Sequence, residues 1–239
     1  MVRESVSDLS SADQAAGRPY DAPTRGARRK TETRQRLLRA AREVFAREGL
    51  ENATIAQITS AADVGFGTFY LHFATKEEAY RAVVAEGFGE LARLLTTARA
   101  EVAVRNGPWW EAVHVTVRAY CLFAERNREL FLVMFAGGRV GIGIARQLQE
   151  QFADLLADQL AAAADDAREH HQPTPYPYPT QPVALATVVA LTRSMLWWLT
   201  QTEREATHDA DGHVLTLDAL IDALTRYTTA ALWGQVPNA

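Results

Sequence analysis

Cysteine is nearly absent: Cys121 is the one thiol in 239 residues. A single thiol can form neither an internal disulfide framework nor a cysteine-based zinc site, so the fold must rest on buried apolar surface, and a reducing cytoplasm suits it. Long hydrophobic runs are missing too. The one extended apolar stretch, Val183 to Leu199, is interrupted by Arg193 and by several Thr and Ser, and it is shorter than a typical spanning helix. It reads as a buried helix, and no membrane partner is expected. The N-terminus lacks a basic segment followed by an apolar one, so no secretory signal is read there. Positive charge is not in excess either, since a net charge of −4 argues against a general binder of polyanions. Apolar side chains, in contrast, make up 48% of the residues, enough for a sizeable core in a chain of one or two domains.

The charge is unevenly spread. From Arg25 to Arg81 there are 11 Lys and Arg against 7 Asp and Glu, a local +4, whereas residues 82–239 carry 12 against 18, a local −6. A basic head on an acidic body suits a reader of DNA, because affinity for phosphates depends on local positive charge.

Met1 to about Thr24 is polar and has no periodic apolar face, so residues 1–27 are read as a disordered tail. Helical periodicity dominates from there on, with no strand pattern. Leu37, Ala41, Val44 and Phe45 form one stripe of a helix from about Thr33 to Glu48, and Gly49 suits its C-cap. Thr54 and Gln57 make a T-x-x-Q capping box for a short helix with Ile55 and Ile58 facing inward. After a break at Asp63 to Gly65, a second short helix from about Phe66 turns Phe69 and Phe73, four apart, into the domain. Thr75 can cap a further helix whose first turn carries Glu77 and Glu78. Pro108 suits the first turn of the next helix, which is apolar on nearly every side up to Arg126 and so should be central. Arg128 to Ala136, Ile144 to Arg168, Val183 to Thr207 and Thr216 to Trp233 bring the count to about nine helices. The glycines from 137 to 143 and the prolines from Gln172 to Pro182 mark interruptions.

The segment Val64-Gly65-Phe66-Gly67-Thr68-Phe69-Tyr70-Leu71-His72-Phe73, followed by Lys76-Glu77-Glu78, resembles the DNA-binding signature of the tetracycline-repressor (TetR) family of one-component regulators. The shared positions are Gly67, Thr68, Tyr70, Phe73 and Lys76. An upstream helix with Ala40, Ala41 and Phe45, then Glu48-Gly49 and Thr54, has the family's spacing. Cap, turn, aromatic pair and lysine in fixed order are more specific than a bare helix-turn-helix. The resemblance implies an all-α fold with a three-helix helix-turn-helix head at residues 28–80 and a helical ligand-binding and dimerisation domain at 81–239. It also implies a homodimer whose two recognition helices enter successive major grooves of a palindromic double-stranded operator. An effector in the body would favour a state with wrongly spaced heads and so release the DNA. The alternatives are a regulator that takes no ligand, its body serving dimerisation or protein contact, and a helical enzyme that has acquired a DNA-binding head.

By this resemblance and by helix geometry, Phe66, Gly67, Thr68, Tyr70, Leu71 and His72 lie on the outward or N-terminal part of the recognition helix. Thr54, Tyr70 and Lys76 are expected to hold phosphates. The rival for Phe66 and Tyr70 is a place in the core. This helix contains no Arg, Lys, Asn or Gln, so base reading is expected to lean on apolar contact of Phe66 or Leu71 with thymine methyls, on Thr68 and His72, and on DNA shape. Arg28, Arg29 and Lys30 precede the expected first helix and read either as an arm for phosphates and the minor groove or as a solvated basic run.

In the body, the apolar helix after Pro108 points to a cavity among Trp110, His114, Val117, Tyr120, Cys121, Phe131, Met134, Phe135, Phe152, Met195 and Trp198, each of which is also a candidate for plain core. As a group they predict a small, largely hydrophobic effector, with His114 or Tyr120 supplying a hydrogen bond rather than a charge clamp. The last two helices, through Val183, Val188, Leu191, Leu217, Leu220, Ile221 and Leu224, are expected to form a four-helix dimer interface, unless they complete each monomer's own core.

No catalytic group, metal or cofactor is read. The glycines at 137–143 miss both the Rossmann spacing and a P-loop lysine. Asp209, Asp211 and Gly212 match the opening of a calcium loop, but its twelfth position is Leu220 where a bidentate Glu is needed. His208 and His213 beside them, His170-His171 and Asp165-Asp166 read as solvated turns and helix faces, and Cys121 as a packing residue.

Overall fold

The computed structural model of the chain describes residues 25–105, 107–135, 180–201 and 215–233, with separate positions between 143 and 161. The regular elements among the described residues are all α-helices: α1 Arg25–Asn52, α2 Ile55–Ala61, α3 Phe66–Tyr70, α4 Lys76–Val104, α5 Trp109–Arg126, α6 Arg128–Phe135, α7 Thr180–Gln201 and α8 Leu217–Trp233. Helical positions from 143 to 161 belong to one more, between α6 and α7. The all-α reading holds. The glycine loop from 137 to 142, the histidine and aspartate clusters at 165–171 and 208–213, and most of the proline segment lie outside the described residues.

Contacts divide the chain between Gln35 and Arg36. Up to Gln35, the described part is the opening of α1, exposed apart from half-buried Thr33. It is helical from Arg25, ahead of the expected start at Thr33. Arg, Lys, Glu and Gln are good helix formers and need no buried face to extend a helix already nucleated downstream. Arg28, Arg29 and Lys30 therefore lie on the first turns of a helix and not on an extended arm. At its other end α1 is broken by Gly49, whose φ of 73° lies in the left-handed region where glycine is favoured.

From Arg36 onward one core cluster runs through the chain. It starts with Leu37, Phe45, Ile58, Phe69 and Phe73, follows α4 through Tyr80, Val84, Phe88 and Leu91, and continues into Cys121, Phe131, Met134, Met195 and Ile221. Because α4 is unbroken from Lys76 to Val104, a boundary at residue 80 falls inside a continuous helix. α5 packs against α4, α6, α7 and α8 and is central, as its apolar circumference requires. α4 and α6 cross closely at Gly87, where an added Cβ would lie 2.7 Å from Met134 Sδ and 3.0 Å from Leu130 Cδ1. Two turns earlier, Tyr80 meets the Phe45 ring edge-on at 5.2 Å and donates to the Val133 carbonyl oxygen at 2.5 Å. That one side chain ties α1, α4 and α6 together.

α7 begins at Thr180 with Pro182 in its first turn, where a missing N–H costs no helical bond. Of the residues expected at the interface, Val188, Leu220, Ile221 and Leu224 are buried within the chain, and Val183, Leu191 and Leu217 are half-buried. Leu220, Ile221 and Leu224 are buried in the monomer's main core, with Leu191 and Leu217 packed against it. Val188 is buried with Ala153, Ala157, Ala184 and Leu232 in a second cluster, on which Val183 packs. A helical stripe tells which side is covered and not what covers it. The exposed large apolar residues of these helices are Val189, Trp197 and Tyr227.

Burial pushes the Cys121 thiol from 9.0 up to about 12, the Tyr80 phenol from 10.0 up to about 12, and the Tyr120 phenol upward as well. A protonated buried thiol packs and does not react. The folded form binds these protons more tightly than the unfolded one, so their contribution to stability is complete below the unfolded values and declines as pH rises through them toward the folded values. Thermal melts should therefore give a steady midpoint up to about pH 8 and a falling one above about pH 9. Cys121 should react with a thiol reagent only as the chain unfolds; fast labelling of native protein would contradict this packing. Leu224→Glu should lose helicity by circular dichroism, costing several kcal/mol for an unpaired buried charge, and should not leave a folded monomer.

Candidate nucleic-acid interface and body cavity

The helix-turn-helix is built from caps. The Thr54 hydroxyl accepts from the Gln57 backbone N–H at 3.2 Å, while the hydroxyl and the backbone N–H of Thr54 both donate to Gln57 Oε1 at 2.8 Å. This is the capping box expected at the start of α2. Thr75 accepts from the Glu78 N–H at 3.2 Å, and Glu78 Oε2 accepts from the Ala74 N–H at 2.7 Å. Gly65 precedes α3 with no side-chain cap. Between α2 and α3, Asp63 takes a left-handed φ of 51°.

Arg36 was not indicated by any sequence pattern. Its guanidinium donates to the Ala62 carbonyl oxygen at 2.7 Å and the Asp63 carbonyl oxygen at 2.9 Å, and lies 3.4 Å from the Asp63 carboxylate. It holds the turn to α1 and satisfies carbonyls at the end of α2. Lys76 does similar work on the other side. Its ammonium donates to the carbonyl oxygens of Glu51 at 2.9 Å and Ala53 at 3.0 Å, a cation on the C-terminal carbonyls of α1. Thr54 and Lys76, both expected at phosphates, thus have their side chains engaged inside the head.

α3 separates its faces cleanly. Phe69 and Phe73 are 0% and 2% exposed, and the helical period turns Phe66 (55%), Tyr70 (50%) and Leu71 (72%) outward. The two doubtful aromatics are surface residues and not core. Phe66 and Tyr70 meet edge-on at 5.7 Å, and Tyr70 meets Phe69 at 5.6 Å, so the patch is braced from beneath. Thr68 and His72 are half-buried at its margin. Gly67 sits among them, and an added Cβ there would meet nothing within 4 Å. Glycine inside a helix costs roughly 0.5–1 kcal/mol relative to alanine. Nothing within the chain explains its presence, whereas a partner surface approaching the backbone closely would.

The body holds a partly open cavity among Ala92, Leu95, Thr96 and Arg99 of α4, Thr116 and Tyr120 of α5, Phe152 and Leu156, and Val188 and Leu191 of α7. Of the expected pocket residues, only Tyr120 and Phe152 line it. Val117, Cys121, Phe131, Met134, Met195 and Trp198 are buried in the close-packed core; Trp110 is 49% exposed; His114 and Phe135 are half-buried away from it. Space opens where side chains are small, and α4 contributes four of the lining residues, none of them among those expected from the sequence. The Thr192 hydroxyl gives its proton to the Val188 carbonyl at 2.7 Å, so in the 2.9 Å bond between the Tyr120 and Thr192 hydroxyls it is Tyr120 that donates. Thr116 likewise donates to the Ala112 carbonyl at 2.7 Å. Among the described residues no group of acids, histidines and cysteines could hold a metal ion.

Residues 37–83 match the family model described as bacterial regulatory proteins, tetR family. Over 106 residues the chain is 26% identical to the uncharacterized HTH-type transcriptional regulator YvdT of Bacillus subtilis, covering 43% of this chain and 51% of that one. Over 54 residues it is 48% identical to the HTH-type transcriptional regulator SrpR of Pseudomonas putida, covering 23% and 25%. The chain thus spans about half or less of the length of these curated relatives. Among solved structures, the transcriptional regulator FadR from Bacillus subtilis in complex with stearoyl-CoA superposes with a TM-score of 0.62 at 13% identity, over 84% of this chain and 99% of that one. At such identity the likeness is one of fold.

Removing Arg36 or Lys76 strips charged donors from carbonyls at the two seams of the head. Arg36→Ala and Lys76→Ala should each lower stability by about 1 kcal/mol, given their partial exposure, read as a lower urea midpoint. Unchanged midpoints would show that these bonds hold nothing in place.

Proposed function

We propose that this chain, a member of the tetR family of bacterial regulatory proteins through its residues 37–83, is a cytoplasmic transcriptional repressor that binds a palindromic operator as a homodimer through α3. A small, largely hydrophobic effector in the body cavity releases it. The observation that carries the reading is the exposed Phe66, Tyr70 and Leu71 around an unencumbered Gly67. Phe66 and Leu71 are the groups for thymine methyls. Gly67 admits the DNA backbone or a base edge close to α3, and Tyr70 offers a hydroxyl to a phosphate. Thr68 and His72 border the patch, and Arg28, Arg29 and Lys30 supply exposed positive charge on the first turns of α1.

Dimerisation is assigned to the outer face of α7 and α8. Val189, Arg193 and Trp197 recur every four residues on α7, and Ala223, Tyr227 and Ala230 are exposed on α8. The stretch Gln181–Gln201 is apolar enough to cross a membrane by length and composition. Such a helix with an uncovered apolar side is well served by a two-fold related copy. Effector response follows from α4, which borders the cavity at Arg99 and carries Tyr80 and, about 35 Å from Arg99 along the helix, Lys76 in the head. An effector that shifts α4 shifts the spacing of two heads. The stearoyl-CoA bound by the structurally similar FadR supports an effector with an apolar chain.

Gly67→Ala should raise stability by about 0.5 kcal/mol yet weaken operator binding about tenfold or more, because a methyl group fills space reserved for DNA. Tyr70→Ala should weaken binding without changing the melting temperature. Trp197→Glu combined with Tyr227→Glu should yield a folded monomer in sedimentation, in contrast to the unfolding expected at Leu224. Full operator affinity in Gly67→Ala, or an intact dimer in the double variant, would contradict the respective assignment.

A further inference from the structure

The cavity combines an almost wholly apolar wall with one cation. Arg99 lies on the same face of α4 as Ala92, Leu95 and Thr96, and it is half-buried at the lining. Among the described residues no ion pair or hydrogen bond is formed by its guanidinium, in contrast to Arg36, Arg105 and Arg118, each of which has a carboxylate. Burial lowers its proton affinity from the ordinary value, a sign that the charge stands in an unfavourable medium without compensation. Holding an unpaired guanidinium partly out of water is costly, and the cost disappears when an anion arrives.

Of the other polar groups of the wall, Tyr120 and Thr116 cannot take that anion, and the exposed Thr96 hydroxyl on α4 adds only a neutral donor one turn from Arg99. The protons of Tyr120 and Thr116 are committed inside the protein, to Thr192 and to the Ala112 carbonyl, so both hydroxyls face the cavity as acceptors. Acceptors repel an anion and leave Arg99 as the strong donor. A guanidinium presents two parallel N–H groups that match the oxygens of a carboxylate or a phosphate.

Resting on the effector reading above, we propose that the cavity takes an amphipathic anion: an apolar chain between α4, α5 and α7, with one carboxylate or phosphate group on Arg99. This replaces the expectation of a ligand held by a neutral hydrogen bond. The anion would then bind directly to α4, the helix that carries Lys76 and Tyr80, so the ligand's charge and not only its bulk would bear on the head.

Isothermal titration of the full chain without DNA, using decanoate, decanoyl-CoA and 1-decanol, tests this independently of operator binding. One of the two anions should bind at least about tenfold more tightly than 1-decanol, and Arg99→Gln should abolish the preference while changing the affinity for 1-decanol by no more than about twofold. Preference for decanoate identifies a carboxylate as the head, and preference for decanoyl-CoA a phosphate. Equal binding of all three to the unmodified chain would overturn the proposal and leave a hydrophobic effector standing; no binding of any would overturn both. Should Arg99→Gln fold poorly, the ratio of anion to alcohol in the unmodified chain decides alone, with Arg99→Lys expected to keep part of the preference.

Discussion

Burial of Phe69 and Phe73 is the constraint on which the head depends. These two rings lie four residues apart, both in the core, with Phe69 against Tyr70 and Phe73 against Phe69. Phe69 lies on α3 and Phe73 just past its end, its N–H on the Phe69 carbonyl oxygen at 2.9 Å, so burying both rings fixes the rotation of this short helix. Phe66, Tyr70 and Leu71 have nowhere to point but outward, and exposing three large apolar groups together is unfavourable unless a partner covers them. The remaining devices of the head serve this orientation. Thr54 and Gln57 start α2, Arg36 clamps the turn at Asp63, and Lys76 closes the end of α1.

The same economy of contacts extends down α4. Tyr80 joins the head core to the α6 backbone, Gly87 lets α6 approach within the width of a missing methyl group, and Arg99 reaches the cavity. A helix packed this tightly at one end and bordering open space at the other transmits displacement as a rigid body, because interiors are close-packed and do not deform smoothly. The proposed effector response needs no more than this geometry and a ligand that binds the two positions of α4 unequally.

What the sequence made legible was local. The capping box at Thr54, the cap at Thr75, the inward pair Phe69 and Phe73 and the central place of α5 each follow from residues within a few positions of one another, where periodicity and cap chemistry act. Contacts across tens of residues were not legible. Nothing in the spacing of Arg36 and Asp63, or of Lys76 and Glu51, signals a hydrogen bond. The stripe of Leu220, Ile221 and Leu224 was read correctly as buried, but its cover proved to be the monomer itself. The cavity was misplaced because large aromatics fill space and small residues such as Ala92 and Thr116 leave it. The start of α1 was missed because propensity alone, without an apolar face, carries the helix back to Arg25.

The central claim is that the exposed patch on α3 is the surface that reads DNA. The most direct measurement is a crystal structure of the full chain with an operator duplex. The account predicts α3 in the major groove, the Gly67 backbone in close approach to the DNA, Phe66 or Leu71 against thymine methyls, and Arg36 and Lys76 still on their carbonyls. A complex in which this patch faces solvent, or in which another helix occupies the groove, would contradict it.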